Sequence, residues 1–124
     1  MKYDSKFEKL IDETFPELEY HPSNKLPYVM EHYYEPDFIY YKDNKTFYTE
    51  TKGRFRDRRE ASKYPAIKKT LLESEELIFI LMKPNTPMPN AKKRKDGTKQ
   101  TMEEFLTKNE IRFFYKDTFN TGEL

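Results

Sequence analysis

Asp37, Glu50 and Lys52 are the residues of this 124-residue chain whose types and spacing could do chemistry together. Two carboxylates suit Mg²⁺ or Mn²⁺, which prefer oxygen ligands and keep several waters. Such a cation can activate a bound water and neutralise charge on a phosphate, and a lysine ammonium can stabilise the same charge. The three residues predict metal-assisted hydrolysis of a phosphodiester. Since the pattern is short, the alternative is three ordinary residues on an exposed sheet face.

A single β-hairpin over residues 38–50 would bring these residues together. Two runs rich in β-branched and aromatic residues flank a turn-like segment centred on the Asp43-Asn44 pair. Antiparallel pairing about that centre places Asp37 directly across from Glu50, with side chains about 5 Å apart. The two-residue period of a strand places Lys52 on the same face as Glu50.

The composition predicts one domain in a reducing compartment. At 124 residues the chain can build one modest core. It has no cysteine, which excludes disulfides and thiolate metal sites and favours the cytoplasm. No apolar run approaches a membrane span, and three glycines are too few for a phosphate-binding or dinucleotide-binding loop.

Positive charge is concentrated in two segments although the formal net charge is only +1. Residues 52–69 hold eight Lys or Arg against two acids, and residues 91–99 hold five against one. Clustered cations are typical of surfaces that bind a nucleic-acid backbone, whereas the alternative is a solvated charged face. The candidate DNA contacts are Arg54, Arg56, Arg58, Arg59, Lys68, Lys69, Lys92, Lys93, Arg94 and Lys95.

The start of the chain predicts a helix and then a connector. Ser5 can cap a helix whose apolar residues between Phe7 and Phe15 follow helical spacing. Glu8 lies three residues after Ser5, so it is either the second half of a capping box or a ligand in a site. Residues 16–34 are rich in turn formers and predict a connector.

The middle of the chain predicts a second helix and a buried strand. The helix is expected to begin near Pro65, with Ile67, Leu71 and Leu72 on its buried side. Residues 76–82 are almost continuously apolar, which is typical of a strand covered on both faces.

The last third predicts a loop, a short helix and a strand. Residues 84–100 form a basic, proline-rich loop that is long enough to suggest function or mobility. Thr101 and Glu104 can form a capping box at the start of a helix, and residues 111–115 have the composition of a strand. The order α–β–β–α–β–α–β predicts an α/β (α+β) fold with a mixed central sheet flanked by helices.

Pro36-Asp37 together with Glu50-Thr51-Lys52 resembles the PD-(D/E)xK nuclease motif. Most of the chain is similar to the endonuclease I family of tailed bacteriophages, enzymes that resolve four-way DNA junctions. The departures are a short stretch before Asp37, a long basic insertion before Thr101 and the lack of a basic C-terminal tail. The blocks that carry the resemblance are Ser5-Lys6-Phe7-Glu8, Lys25-Leu26-Pro27-Tyr28-Val29, Glu35-Pro36-Asp37-Phe38, Glu50-Thr51-Lys52-Gly53, Thr101-Met102-Glu103-Glu104-Phe105 and Ile111-Arg112-Phe113.

The resemblance implies a restriction-endonuclease-like core and a Mg²⁺-dependent endodeoxyribonuclease in which Mn²⁺ can substitute. Asp37 and Glu50 would be the primary metal ligands, with the Thr51 carbonyl as an additional one. Glu8 would help to hold a second ion, and Lys52 would stabilise the attacking water or the transition state.

The resemblance also implies a domain-swapped homodimer in the cytoplasm of a bacterial host. Residues 1–27 would be exchanged between protomers, so that Glu8 reaches a site whose other residues belong to the second chain. Asp12 and Glu13 are the alternatives to Glu8.

Two other functions stay open: a nuclease that cuts ordinary duplex DNA, and a DNA-binding module whose acids are incidental. His21 and His32 are the only histidines, and without cysteines they do not predict a zinc site.

Overall fold

The computed structural model describes residues 3–124, so the first two residues of the predicted exchange segment 1–27 lie outside it. The described chain forms two compact units, one ending at His32 and the other comprising Tyr33–Leu124. Within the described range no helix is long and apolar enough to cross a membrane.

The first unit contains helix α1 (Lys6–Thr14), as predicted. The Ser5 hydroxyl accepts a hydrogen bond from the Glu8 backbone N–H at 3.1 Å, which caps the helix. Although α1 is amphipathic, none of its residues is buried, and the apolar side chain of Phe7 is 69% exposed. The connector is equally open, since Val29 is 95% exposed.

The second unit is built on a four-stranded mixed sheet, which confirms the predicted α+β class. Its strands lie side by side in chain order. Strands β1 and β2 are antiparallel, whereas β2, β3 and β4 run parallel to one another. The strands are β1 (Phe38–Lys42), β2 (Lys45–Lys52), β3 (Glu75–Leu81) and β4 (Arg112–Tyr115).

The hairpin between β1 and β2 has the predicted register. Phe38 pairs with Thr49, and Lys42 pairs with Lys45. Asp43 and Asn44 form the turn with φ values of 50° and 63°. Asp and Asn tolerate this left-handed conformation better than most residues, and two-residue hairpin turns require it.

Helix α2 (Arg58–Thr70) begins earlier than predicted, so the expected start near Pro65 is wrong. Asp57 caps the helix by accepting a hydrogen bond from the Glu60 N–H at 2.7 Å, and Pro65 lies inside the helix. The buried residues of α2 are Ala61 and Tyr64. Leu72, expected on the buried side, lies beyond the helix and is 67% exposed.

Helix α3 (Met102–Lys108) opens with the predicted capping box of Thr101 and Glu104. A short 3₁₀ helix, Thr121–Glu123, follows β4 near the C-terminus. The core combines side chains of β3, α2 and α3, with Tyr64, Phe79 and Leu106 all fully buried.

The basic segment 84–100 packs against this core instead of projecting freely. Met88 is 3% exposed and belongs to the core cluster. Its backbone N–H donates to the Gln100 carbonyl, and Pro87 forms a β-bridge with Thr101. The loop is therefore anchored at several points.

Candidate active site

The β1–β2 hairpin brings Asp37 and Glu50 together at its open end. The Asp37 backbone N–H donates to Glu50 Oε2 at 3.2 Å, and the Thr51 N–H donates to Asp37 Oδ2 at 2.9 Å. These contacts agree with the register of the hairpin, which places the two acids across from one another. They also tie both side chains to the rigid backbone of neighbouring strands.

Glu50 is a nearly buried carboxylate held by two tyrosines. Tyr34 donates to Oε2 at 2.9 Å and Tyr64 donates to Oε1 at 2.8 Å, while Glu50 itself is 4% exposed. Burial, together with the hydrogen bond to Glu50, raises the pKa of both tyrosines. Both hydroxyls therefore stay protonated donors near neutral pH, and they fix the orientation of the carboxylate.

Asp37 is exposed, in contrast to Glu50. The backbone N–H of Thr51 lowers the pKa of Asp37, and the Thr51 hydroxyl and the nearby Lys52 act in the same direction. Hydrogen bonds to the charged form of a carboxylate favour that form. Asp37 is thus an accessible anion at neutral pH.

Lys52 lies between two carboxylates. Its Nζ is 3.9 Å from Glu50 Oε1 and 3.7 Å from Glu60 Oε2, and its side chain is 19% exposed. Glu60 comes from the first turn of α2, and its other oxygen accepts a hydrogen bond from the Arg56 N–H. Lys52 is therefore positioned beside the acids but keeps contact with solvent.

These groups can hold a divalent cation. Oxygen donors from two carboxylates are suitable ligands for Mg²⁺. A carboxylate oxygen can accept two hydrogen bonds. Glu50 Oε2 already accepts two, from Tyr34 and from the Asp37 N–H, so the remaining capacity of Glu50 for a cation lies on Oε1. The carboxylates of Asp37, Glu50 and Glu60 together carry more negative charge than the Lys52 ammonium balances. This excess favours a cation nearby.

Glu8 lies in the first unit, near Asp4 and His21. Each of these residues offers one ligand atom, and the three atoms lie within 4.8 Å of one another. The Glu8 carboxylate accepts a hydrogen bond from Tyr20 at 3.3 Å. The Glu8 backbone N–H donates to the Ser5 hydroxyl. This contact is expected whether the Glu8 side chain caps the helix or binds a metal ion, so it does not separate the two interpretations. The alternatives to Glu8 are engaged elsewhere, since Asp12 accepts from Tyr3 and Glu13 pairs with Lys9.

The predicted DNA contacts divide into two groups. Several cations have structural partners: Arg94 makes a two-pronged contact with Glu104 at 2.7 and 3.0 Å, and Arg58 donates to the Pro89 carbonyl. Lys68 donates to the backbone carbonyls at the end of α3, and Arg56 pairs with Asp57. Within the described chain the other cations make no side-chain hydrogen bond or ion pair; they are Arg54, Arg59, Lys69, Lys92, Lys93 and Lys95.

Four residues near the site were not predicted from the sequence: Tyr34, Tyr64, Glu60 and Lys83. Tyr64 and Glu60 reach the site because α2 packs on the sheet, and no local pattern reports that contact. A usable signal existed for Glu60 alone, because Asp57 and Glu60 have the spacing of a helix start. Lys83 lies two residues after the end of β3 at Leu81, at the same sheet edge as Lys52.

A scan against protein-family models finds no match for the chain, and no curated protein matches it. The resemblance to the endonuclease I family therefore rests only on the sequence blocks given above.

Proposed function

We propose that the protein is a metal-dependent endodeoxyribonuclease that cuts four-way and other branched DNA. The observation that carries the proposal is the arrangement of Asp37, Glu50 and Lys52, in which two carboxylates linked through backbone hydrogen bonds lie beside a lysine. This donor set fits Mg²⁺, with Mn²⁺ as a substitute.

The residues have separate roles in this proposal. Asp37 and Glu50 would hold the cation, with the Thr51 carbonyl as a third ligand, and the cation would activate water and neutralise phosphate charge. Lys52 would stabilise negative charge on the reacting phosphate. Tyr34 and Tyr64 would act as positioning residues that keep Glu50 oriented.

A second candidate function is a DNA-binding module without catalysis. Both oxygens of Glu50 accept hydrogen bonds from tyrosines, an arrangement that a purely structural buried acid would also adopt. Cleavage that depends on Mg²⁺ separates the two functions. A nuclease that prefers plain duplex would cut the linear arms of a junction as fast as the junction.

The decisive experiment measures nicking of a fixed four-way junction and of its separate arms with Mg²⁺. Asp37→Ala and Glu50→Gln should abolish nicking and retain junction binding. Glu75→Gln is the matched control, because Glu75 also accepts a hydrogen bond from a tyrosine, Tyr48, but lies at the opposite end of β3. Nicking by either site variant at the parent rate would falsify the proposal.

We further propose that the active form is a homodimer in a bacterial host cytoplasm, with residues 1–27 exchanged between chains. The exposed apolar residues of α1 and of the connector support a second copy as their cover, because a soluble monomer rarely leaves such an area open. Glu8 would then complete the site of the other protomer.

Mixing two inactive variants tests the exchange. Glu8→Ala and Asp37→Ala chains, unfolded together and refolded, should form heterodimers with one intact site if Glu8 acts in the other protomer. The mixture should recover about a quarter of parental activity, since half of the dimers are mixed. A mixture as inactive as its components would contradict the exchange, whereas inactive single variants alone support only a role for each residue.

A further inference from the structure

A groove of 970 Å³ lies at the sheet edge where β2 and β3 end, within the second unit. These strands are parallel, so their carboxyl ends meet at one edge, and the Met82 N–H donates to the Lys52 carbonyl there. Crevices outside the carboxyl ends of parallel strands are common ligand sites. Lys52 lines the groove, which therefore adjoins the candidate active site.

The groove is cationic. Lys52, Arg54, Arg56 and Lys83 line it, against a single acid, Glu60. Within the described chain, Arg54 and Lys83 make no side-chain hydrogen bond or ion pair. Two unpaired cations in a concave surface favour an anionic ligand.

The groove also has an apolar wall. A ligand made of phosphates alone would gain nothing from apolar contact. Met82 is 58% exposed, and Pro87 and Pro89 also line the groove. The absence of a side chain at Gly53 leaves space for Met82, since an added Cβ would lie 3.3 Å from Met82 Cε. Apolar contact is gained from the flat face of a base, and a base offers that face only when it is unstacked.

Since a paired duplex presents phosphates, sugars and base edges to a protein surface but not base faces, the combination favours an unpaired strand. The volume lies within the range of about 300–1,000 Å³ that is typical of ligand pockets, which limits the occupant to a short segment. A segment of one or two nucleotides suits the size and the lining of this groove.

We propose that this groove binds one or two unpaired nucleotides next to the phosphate that is cut, with Arg54 and Lys83 on their phosphates and Met82 against a base. The inference rests on the proposed nuclease function for the identity of the strand. It adds that the protein recognises the unpaired nucleotides at a branch point through Met82, while Arg54 and Lys83 hold their phosphates.

A thermodynamic cycle between Met82 and the base tests this inference. Binding is measured in EDTA, so that cleavage does not enter, on branched DNA with two unpaired thymidines at the branch. A second DNA carries abasic residues at these two positions. The parent should bind the abasic DNA about fivefold more weakly, the low end of base-stacking effects because Met82 has no ring. Met82→Ala should bind both DNAs equally and as weakly as the parent binds the abasic one.

The two cations are tested by salt dependence. Arg54→Ala with Lys83→Ala should lower the slope of log affinity against log salt by about 1.4, since each single-strand phosphate contact contributes about 0.7. The matched controls are Leu72→Ala for Met82 and Lys108→Ala with Lys116→Ala for the cations. These residues are exposed and do not line the groove.

The outcomes separate this inference from the proposed function. If the parent binds intact and abasic DNA equally, or if the losses from Met82→Ala and the abasic sites add up, the inference is wrong even if the protein cuts DNA. If the cycle is non-additive and the salt slope falls as expected, the inference holds even if no metal supports cleavage, and only the nuclease proposal fails.

Discussion

Replacing Tyr64 with phenylalanine tests whether the buried hydrogen bond to Glu50 serves the site. Tyr64 is fully buried, and its hydroxyl donates to Glu50 Oε1 at 2.8 Å. Its ring packs edge-on against Phe79 with centroids 4.9 Å apart. Phenylalanine keeps this packing and removes the hydroxyl alone.

The expected effect has a structural part and a functional part. A hydrogen bond to a charged group contributes about 1.5–3 kcal/mol, and Glu50 would keep the hydrogen bond from Tyr34, so we expect a loss of about 2 kcal/mol in unfolding free energy. For a chain of this size that is about 8 °C in Tm. If Glu50 holds the cation, losing a partner that orients it should also reduce metal affinity or cleavage by about 10–100-fold.

Tyr115→Phe is the matched control for this experiment. Tyr115 also donates to a glutamate, Glu103, at 2.8 Å, but it lies in β4 and does not contact Glu50. Denaturation in EDTA measures the structural part, and Mg²⁺ titration of cleavage measures the functional part. We expect both variants to lose stability and only Tyr64→Phe to need more Mg²⁺. Parental Mg²⁺ dependence and rate in Tyr64→Phe would refute the assignment of Glu50 as a ligand.

Three further predictions concern the fold around the site. The hydrogen bonds from Arg94 lower the pKa of Glu104 from 4.5 to about 2. A carboxyl group whose pKa is lower in the folded state stabilises the fold at pH values above its unfolded pKa, so Arg94→Gln should destabilise the protein most above pH 4.5 and least near pH 2. Urea midpoints of the parent and the variant across this range measure the loss of stability. A loss that stays constant with pH would contradict the prediction. Asp57→Ala should cost about 1 kcal/mol through loss of the α2 cap, measured by urea unfolding, whereas Asp117→Ala, an exposed control, should change little. Leu106→Ala should cost about 2–5 kcal/mol because the side chain is fully buried, and a loss below 1 kcal/mol in calorimetry would contradict the core assignment.

The hairpin and the capping box of α3 were predictable because their determinants are local. Asp43 and Asn44 define the turn, and the turn fixes the register of β1 against β2, which places Asp37, just before β1, across from Glu50. Thr101 and Glu104 likewise lie within one helical turn of each other. Each feature depends on a few consecutive residues, so the sequence pattern contained the relevant information.

The start of α2 was predicted wrongly near Pro65 because proline is frequent as the first residue of helices. The Asp57 cap and the burial of Ala61 and Tyr64 extend the helix through the proline. The burial of these side chains depends on packing against β3. A rule that considers only residues adjacent in the sequence does not include this packing. For the same reason, the sequence did not predict that Tyr64 and Glu60 lie next to the site.

Charge counting identified the basic segments but could not assign roles within them. Arg94 and Arg58 lie among the cations predicted to contact DNA, yet their guanidinium groups hold segment 84–100 in place. Arg54 lies in the same basic run as Arg58 and has no such partner in the described structure. An arginine that holds the fold together differs from one that is free to bind a ligand only in whether a hydrogen-bond acceptor of the protein lies within its reach. The sequence does not give that position.

The arrangement of charge around Lys52 favours a nuclease over either a simple cation site or a simple anion site. On one side lie the carboxylates of Asp37 and Glu50, while Glu60 pairs with Lys52 and also lines the groove. On the other side the groove presents Arg54 and further cations. A site for an anion alone would be weakened by the acids, and a site for a metal ion alone would be weakened by the arginines. A divalent cation bound together with a phosphate complements both sides at once, which is the pair of ligands that phosphodiester hydrolysis brings together.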